Sequence, residues 1–251
     1  MDYFEIEMNL LAGKPIEISG GLLVHKVSFN DMCDIGYNKY NDIVGLLCIN
    51  NEKLKEYLKS EDADIYTYVV SLSYYAATKQ DEERLMFLYN LINVLKYIFK
   101  KDIKFDVYNM CFAIGESEIL NKENFNDFIK IVKIRNCFED VINESDNPDS
   151  DRTKQLLERR RKLREKLNKT KSQNGDDDSC LTILDLISIY AESSHMKLED
   201  VFSYDMYQFN NQFNRLKIFK DYEVNTRALL AGAKKEEIDF KHWLTRIDKK
   251  E

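Results

Sequence analysis

Residues 81–100 carry the strictest periodicity in the chain. Leu85, Leu88, Leu91, Ile92, Leu95, Ile98 and Phe99 recur at i, i+3, i+4 and i+7, the spacing of a helix with one core-facing side. Asp81, Glu82 and Glu83 occupy its first turn, and Lys96, Lys100 and Lys101 its last, so charge complements the helix dipole at both ends. A helix of this length needs a layer of other elements to cover its apolar side. The rest of the chain is suited to supply one. Only two Pro and eight Gly punctuate 251 residues, which favours long helices over a many-turned β-sandwich. Hydrophobic residues make up 44%, enough for a buried core.

The first thirty-six residues read differently. Phe4, Ile6 and Met8 alternate, Ala12-Gly13-Lys14-Pro15 reads as a turn, and Ile16–Ile18 starts a second strand. Ser19-Gly20-Gly21 is another turn, and Leu22–Val27 a third strand. This predicts a short β-meander running into a helix capped by Ser28 or Asn30 and stopped by Gly36. Helices follow over Lys39–Cys48, Asn51–Leu58 and Ala63–Ala77. Phe105–Tyr108 and Cys111–Ile114 form a hairpin, and Asn121 caps a helix carrying Phe125, Phe128, Ile129, Val132 and Phe138.

Asn143–Ser150 is wholly polar but for one Pro and reads as a linker. Residues 151–174 then hold ten Lys or Arg against three Asp or Glu, a local +7 that leaves −14 on the remainder of a chain with net charge −7. Arg159, Arg160, Arg161, Lys162 and Arg164 form the centre of this basic helix. They are candidate partner-binding residues, for nucleic acid or for an acidic protein, beside the simpler reading of a solvated spacer. The segment has no aromatic side chain on which a base could stack, and an acidic total argues against a whole-protein nucleic-acid binder. Ser172–Ser179 reads as a second linker.

From Cys180 the pattern is helical again. Leu181, Leu184, Ile187 and Tyr190 define one helix and Leu198–Phe202 a short one. Ser203 caps a long helix carrying Met206, Phe209, Phe213 and Leu216, with a bend near Asp221 and an end at Gly232. Phe240, Trp243, Leu244 and Ile247 share one helical face. Trp243 is the single Trp, a candidate hot spot for a partner. The favoured expectation is that it docks on the long helix, its truncation costing about 3–5 kcal/mol as for other buried aromatics. The expected fold is thus mostly α with a small antiparallel β component. It comprises an N-terminal α+β module over 1–142, a polar linker with a basic helix over 143–179, and a helical module over 180–251.

No spacing in the chain builds an active site. His25, His195 and His242 lie far apart, no CxxC pair occurs among the five Cys, and no P-loop, GxGxxG or GxSxG is present. Neither metal nor cofactor is expected, and the chain reads as a binding protein rather than an enzyme. The dispersed odd Cys set fits reduced thiols. The acidic N-terminus lacks the apolar stretch of a signal peptide, and no apolar run approaches the ~18 residues of a membrane span.

Three stretches resemble the tail proteins of phages and prophages of low-GC Gram-positive bacteria. The first is Gly13-Lys14-Pro15-Ile16, followed by Leu23-Val24-His25-Lys26-Val27-Ser28 and Asp34-Ile35-Gly36-Tyr37-Asn38-Lys39-Tyr40. The second is Ile119-Leu120-Asn121-Lys122-Glu123-Asn124-Phe125. The third is Leu229-Leu230-Ala231-Gly232-Ala233, with Ile238-Asp239-Phe240-Lys241-His242-Trp243-Leu244 beyond it. The resemblance implies a tail-assembly chaperone that binds the tape-measure or tail-tube protein in the bacterial host cytoplasm. A structural tail or baseplate component of the virion is the alternative. It implies no catalytic residue. The charged stretch between the halves departs from the pattern.

Overall fold

A computed structural model describes residues 3–61, 63–79, 82–138, 181–234 and 242–245. The fold is mostly helical with two small antiparallel sheets. Helix α1 (Tyr3–Leu11) leads into β1 (Ile16–Glu17) and β2 (Leu23–Val24). Then come α2 (Phe29–Ile35), α3 (Tyr37–Leu47), α4 (Asn51–Leu58), α5 (Ile65–Lys79) and α6 (Glu82–Phe99). Strands β3 (Ile103–Asp106), β4 (Cys111–Ile114) and β5 (Glu118–Leu120) form the second sheet, and α7 (Lys122–Arg135) closes this part. After the intervening chain come α8 (Ile183–Ser194), α9 (Leu198–Phe202) and α10 (Met206–Leu230).

The periodic stretch forms α6 as its spacing requires. Leu88, Leu91, Val94, Leu95, Ile98 and Phe99 are buried, whereas Leu85, in the first turn, stays exposed. Phe99 stacks on Phe128 of α7 with centroids 5.3 Å apart, and Phe125 and Tyr66 extend the aromatic row. Such ring pairs add to the area term that burial already supplies. Ser28 caps α2 in a reciprocal box with Asp31, and Asn121 caps α7 with Asn124.

Five expectations about these elements are corrected. Residues 3–11 are a helix, not a strand. The alternation of Phe4, Ile6 and Met8 is incidental: Phe4 and Met8 are exposed, while Leu10 is buried with Ile6 partly so, one helical turn apart. No Gly or Pro interrupts the stretch, and Glu, Met and Leu favour helix. The meander therefore reduces to two paired strands, with Ile16 opposite Val24 and Glu17 opposite Leu23. The hairpin after α6 gains a third strand, β5, because Phe112 lies opposite Leu120, which is fully buried.

The long helix starts later than expected and runs unbroken. Ser203 turns its hydroxyl onto the Asp200 carbonyl (2.6 Å) and closes α9; Asp205 is the true cap, its carboxylate accepting from Gln208 N–H at 2.8 Å. The expected bend near Asp221 is absent, and α10 continues for 25 residues to Leu230. Asp221 is exposed and Glu223 and Asn225 are only partly buried, so no polar side chain there is forced into a core and the backbone stays helical.

One core joins the chain on both sides of 143–179. Phe29 of α2 meets Phe209 of α10 edge to face at 5.5 Å and Phe202 of α9 at 6.3 Å, and Tyr190 of α8 packs on Phe209 at 5.8 Å. The Phe29 N–H donates to the Tyr204 carbonyl at 2.9 Å. Limited proteolysis is expected to cut first between Asn143 and Ser179. After cleavage at an engineered site within 143–150, gel filtration should show the two fragments eluting together, separating only in denaturant. Separation in native buffer would mean that this core does not hold them.

Candidate functional site

Two places gather groups with functional potential. The first is a cleft lined by Val24, His25, Val27, Tyr40, Ile98, Val132, Arg135, Asn136 and Asp205. Its free volume is about 10 Å³, room for roughly one water molecule and far short of the ~300–1,000 Å³ usual for small-molecule pockets. Arg135 reaches it because α7 ends there, and Asp205 because α10 begins there. Nη1 of Arg135 donates to Asp205 Oδ2 at 2.8 Å, and Nη2 donates to the Lys14 carbonyl at 2.5 Å. The two charged side chains are 5% and 2% exposed.

Burial drives the chemistry of this cluster. It pushes the Asp205 carboxyl above the usual range, against the Gln208 N–H and the Arg135 charge, and it pulls the Arg135 guanidinium down. Arginine starts so far above neutrality that it stays charged. His25 is held below its ordinary value by burial and by Lys100 and Arg135, so its ring is neutral at pH 7. The Tyr40 hydroxyl donates to Asn136 Oδ1 at 2.8 Å, and burial raises its pKa. Nearby Cys48 is buried, its thiol pushed up to about 12 and hence protonated at neutral pH. Around the pair, Lys26 donates to the Ser203 carbonyl (2.7 Å) and Gln208 Oε1 (3.2 Å), and Gln208 donates to the Leu11 carbonyl (2.9 Å). The polar groups are aimed at one another. The arrangement locks the ends of α1, α7 and α10 together.

The second place is the outer half of α10 with residues 242–245. This segment runs back along the helix: His242 faces Tyr222 (5.2 Å), Trp243 meets Phe219 edge to face (6.2 Å, 89°), and Arg215 donates to the Thr245 carbonyl (2.6 Å). Gly232, at φ +98°, supplies the left-handed residue at which the helix ends. Trp243 does lie against the long helix, but it is 43% exposed and its partner Phe219 is 41% exposed. The expected burial is therefore only partial, because the ring covers the helix from one side. Phe240 and Ile247 lie outside the described residues, as do Arg159, Arg160, Arg161, Lys162 and Arg164.

Residues 169–248 are similar to the YomV second domain, a phage- and prophage-associated family. No curated protein and no solved structure matches the chain. The YomV-like segment contains α8, α9, α10 and the returning tail, so it supplies Asp205 to the first place and the whole of the second. Arg135, Tyr40 and His25 lie outside it. Among the described residues no group of three or more His, Cys, Asp or Glu could hold a metal ion, and no helix is long and apolar enough to cross a membrane.

Sequence reasoning did not single out Arg135 or Asp205. Two signals were available: an Arg directly after the apolar Ile131, Val132 and Ile134, and the Asp205-x-x-Gln208 capping pattern. Pairing them requires the fold. Arg135→Met should destabilise the protein by about 3–5 kcal/mol, since it strands a buried carboxylate. Adding Asp205→Asn, which keeps a good cap without the charge, should recover part of that loss in urea unfolding. A parental midpoint for Arg135→Met would show that the pair does not tie the elements. Trp243→Ala, by contrast, should cost only roughly 1–2 kcal/mol, below the range for fully buried rings, in the same unfolding measurement.

Proposed function

We propose that this protein is a phage tail-assembly factor that binds the tape-measure or tail-tube protein non-covalently during morphogenesis, in the host cytoplasm. The observation that carries the reading is the similarity of residues 169–248 to a phage- and prophage-associated family. It falls on the last of the three stretches that resemble phage tail proteins, including His242-Trp243-Leu244. The geometry supports a binding role. In the cleft, Tyr40, Arg135 and Asp205 are bonded to the protein itself, while Trp243, Phe219 and Leu244 present apolar surface on a helical scaffold. Partner recognition by apolar anchors between helices needs no covalent step.

A factor of this kind acts before the particle is complete and then leaves. Mass spectrometry of purified phage particles should therefore lack the chain, while a tagged copy expressed during infection should retain the tape-measure or tail-tube protein on affinity capture. Stoichiometric presence in particles would replace this reading with a structural tail or baseplate component. Capture of DNA, with binding that falls steeply as salt rises, would favour the basic segment around Arg159–Lys162 as the functional element.

A further inference from the structure

The guanidinium of Arg135 presents its N–H donors in a rigid fork, and almost none of the side chain reaches solvent. Nη1 and Nη2 are committed to Asp205 Oδ2 and to the Lys14 carbonyl. Nε is not: it is buried and, among the described residues, finds no acceptor. A buried donor left without a partner carries its full desolvation cost, and a cationic donor carries more. Protein interiors meet that cost by pairing such groups with other protein groups or with ordered water.

The space beside Arg135 limits what the partner can be. The free volume of the cleft, about 10 Å³, admits roughly one water molecule and no larger ligand. The lining supplies acceptors from other elements. His25 follows β2, and its backbone N–H donates to the Ile98 carbonyl of α6 at 2.8 Å, which holds the residue at the cleft. Its ring makes no hydrogen bond among the described residues and, being neutral at pH 7, keeps a lone pair on one nitrogen. Asp205 accepts from Arg135 and from the Gln208 N–H, and an ionised carboxylate retains lone pairs beyond those two. Tyr40 and Asn136 are already bonded to each other, and Asn136 Nδ2 to the Val132 carbonyl. A wholly apolar cavity stays dry, but this one is bounded by a cationic N–H, an imidazole and a carboxylate, the polar partners that hold a water in place.

We propose that the cleft is the binding site of a single structural water molecule, which accepts from Arg135 Nε–H, donates to a ring nitrogen of His25 and turns its second hydrogen to the Asp205 carboxylate. The water completes the fork of Arg135, so that each of its three nitrogens has a partner. It also makes His25 a positioning residue: the segment after β2 is joined, through the water, to the point where α1, α7 and α10 already meet. The site stands without the tail-assembly reading, because it concerns the buried pair and no partner protein.

The full chain, deuterated and carrying nitrogen-labelled arginine, reports on the site through the Nε–Hε resonance of Arg135 in NMR spectra at pH 7. Rotating-frame transfer from water, whose sign separates a bound water from proton exchange, should reach this proton in the parent. Tyr40→Phe, which removes the exchangeable hydroxyl of the cleft, should keep the transfer. His25→Gln, which retains an acceptor, should keep it too. His25→Leu, of similar size without an acceptor, should reduce it to the noise while the spectrum stays that of a folded chain. A crystal structure of the parent should place one water oxygen about 2.7–3.2 Å from Nε and within the same reach of the His25 ring. No transfer to a resolved Hε in the parent would overturn the proposal, since the donor would then be dry. Undiminished transfer in His25→Leu would overturn the bridge. If His25→Leu does not fold, the parent crystal decides: a cleft with no water beside Nε, or with one out of reach of His25, would overturn the proposal as well.

Discussion

The Arg135–Asp205 pair is the contact on which the arrangement of the other elements turns. Two opposite charges, almost wholly withdrawn from water, meet at 2.8 Å where α7 ends and α10 begins. Withdrawing them costs several kcal/mol per ion, and the cost is offset only by close geometry and further hydrogen bonds. The structure supplies those bonds from a third direction, through the Lys14 carbonyl between α1 and β1 and the Gln208 N–H of α10. A hydrophobic contact would tolerate sliding of one helix over another. This pair does not, because any displacement leaves a buried charge without its partner. The register of α1, α7 and α10 is fixed by that intolerance more than by the packing of their apolar sides.

Much of the helical part was legible because it depends on local chemistry. The stripe of α6, the boundaries of α4 and the caps at Ser28 and Asn121 are written within a few residues of where they act. The failures share a cause. Residues 3–11 alternate as a strand would, yet burial selects Ile6 and Leu10, and that choice is made by α10, almost two hundred residues away. Ser203 and Asp205 are both good caps, and only the hydroxyl's engagement with Asp200 decides between them. The site was the least legible part. Trp243 stood out as the lone indole, and its place against the long helix followed from spacing. Arg135 and Asp205 could not be paired from a sequence in which 70 positions separate them.

The two places differ in kind. The cleft of His25, Tyr40 and Arg135 is small, and the Tyr40 hydroxyl and both terminal nitrogens of Arg135 bond to the protein itself, while Arg135 Nε is buried without a partner. The outer half of α10 has the opposite character, with the Phe219 and Trp243 rings half in water. The two ends of that helix are therefore anchored differently. Its first turn is fixed by the ion pair and by Phe209 between Phe29 and Tyr190; its outer half carries the returning segment through Arg215, Phe219 and Tyr222.

The sequence separation of these contacts has a consequence for synthesis. During translation, Arg135 and the Lys14 carbonyl leave the ribosome well before Asp205 exists, and the bonds from Gln208 to Leu11 and from Lys26 to Gln208 close loops of 197 and 182 residues. Closing loops of that length is entropically slow to be rewarded. Until α10 emerges, the nascent N-terminal part holds a guanidinium at the end of α7 that cannot be buried at reasonable cost. The chain therefore has little incentive to settle early, and the last large helix to be made is the one that lets the first part finish folding. A truncated product ending before Asp205 would be marked by that uncompensated charge as incomplete.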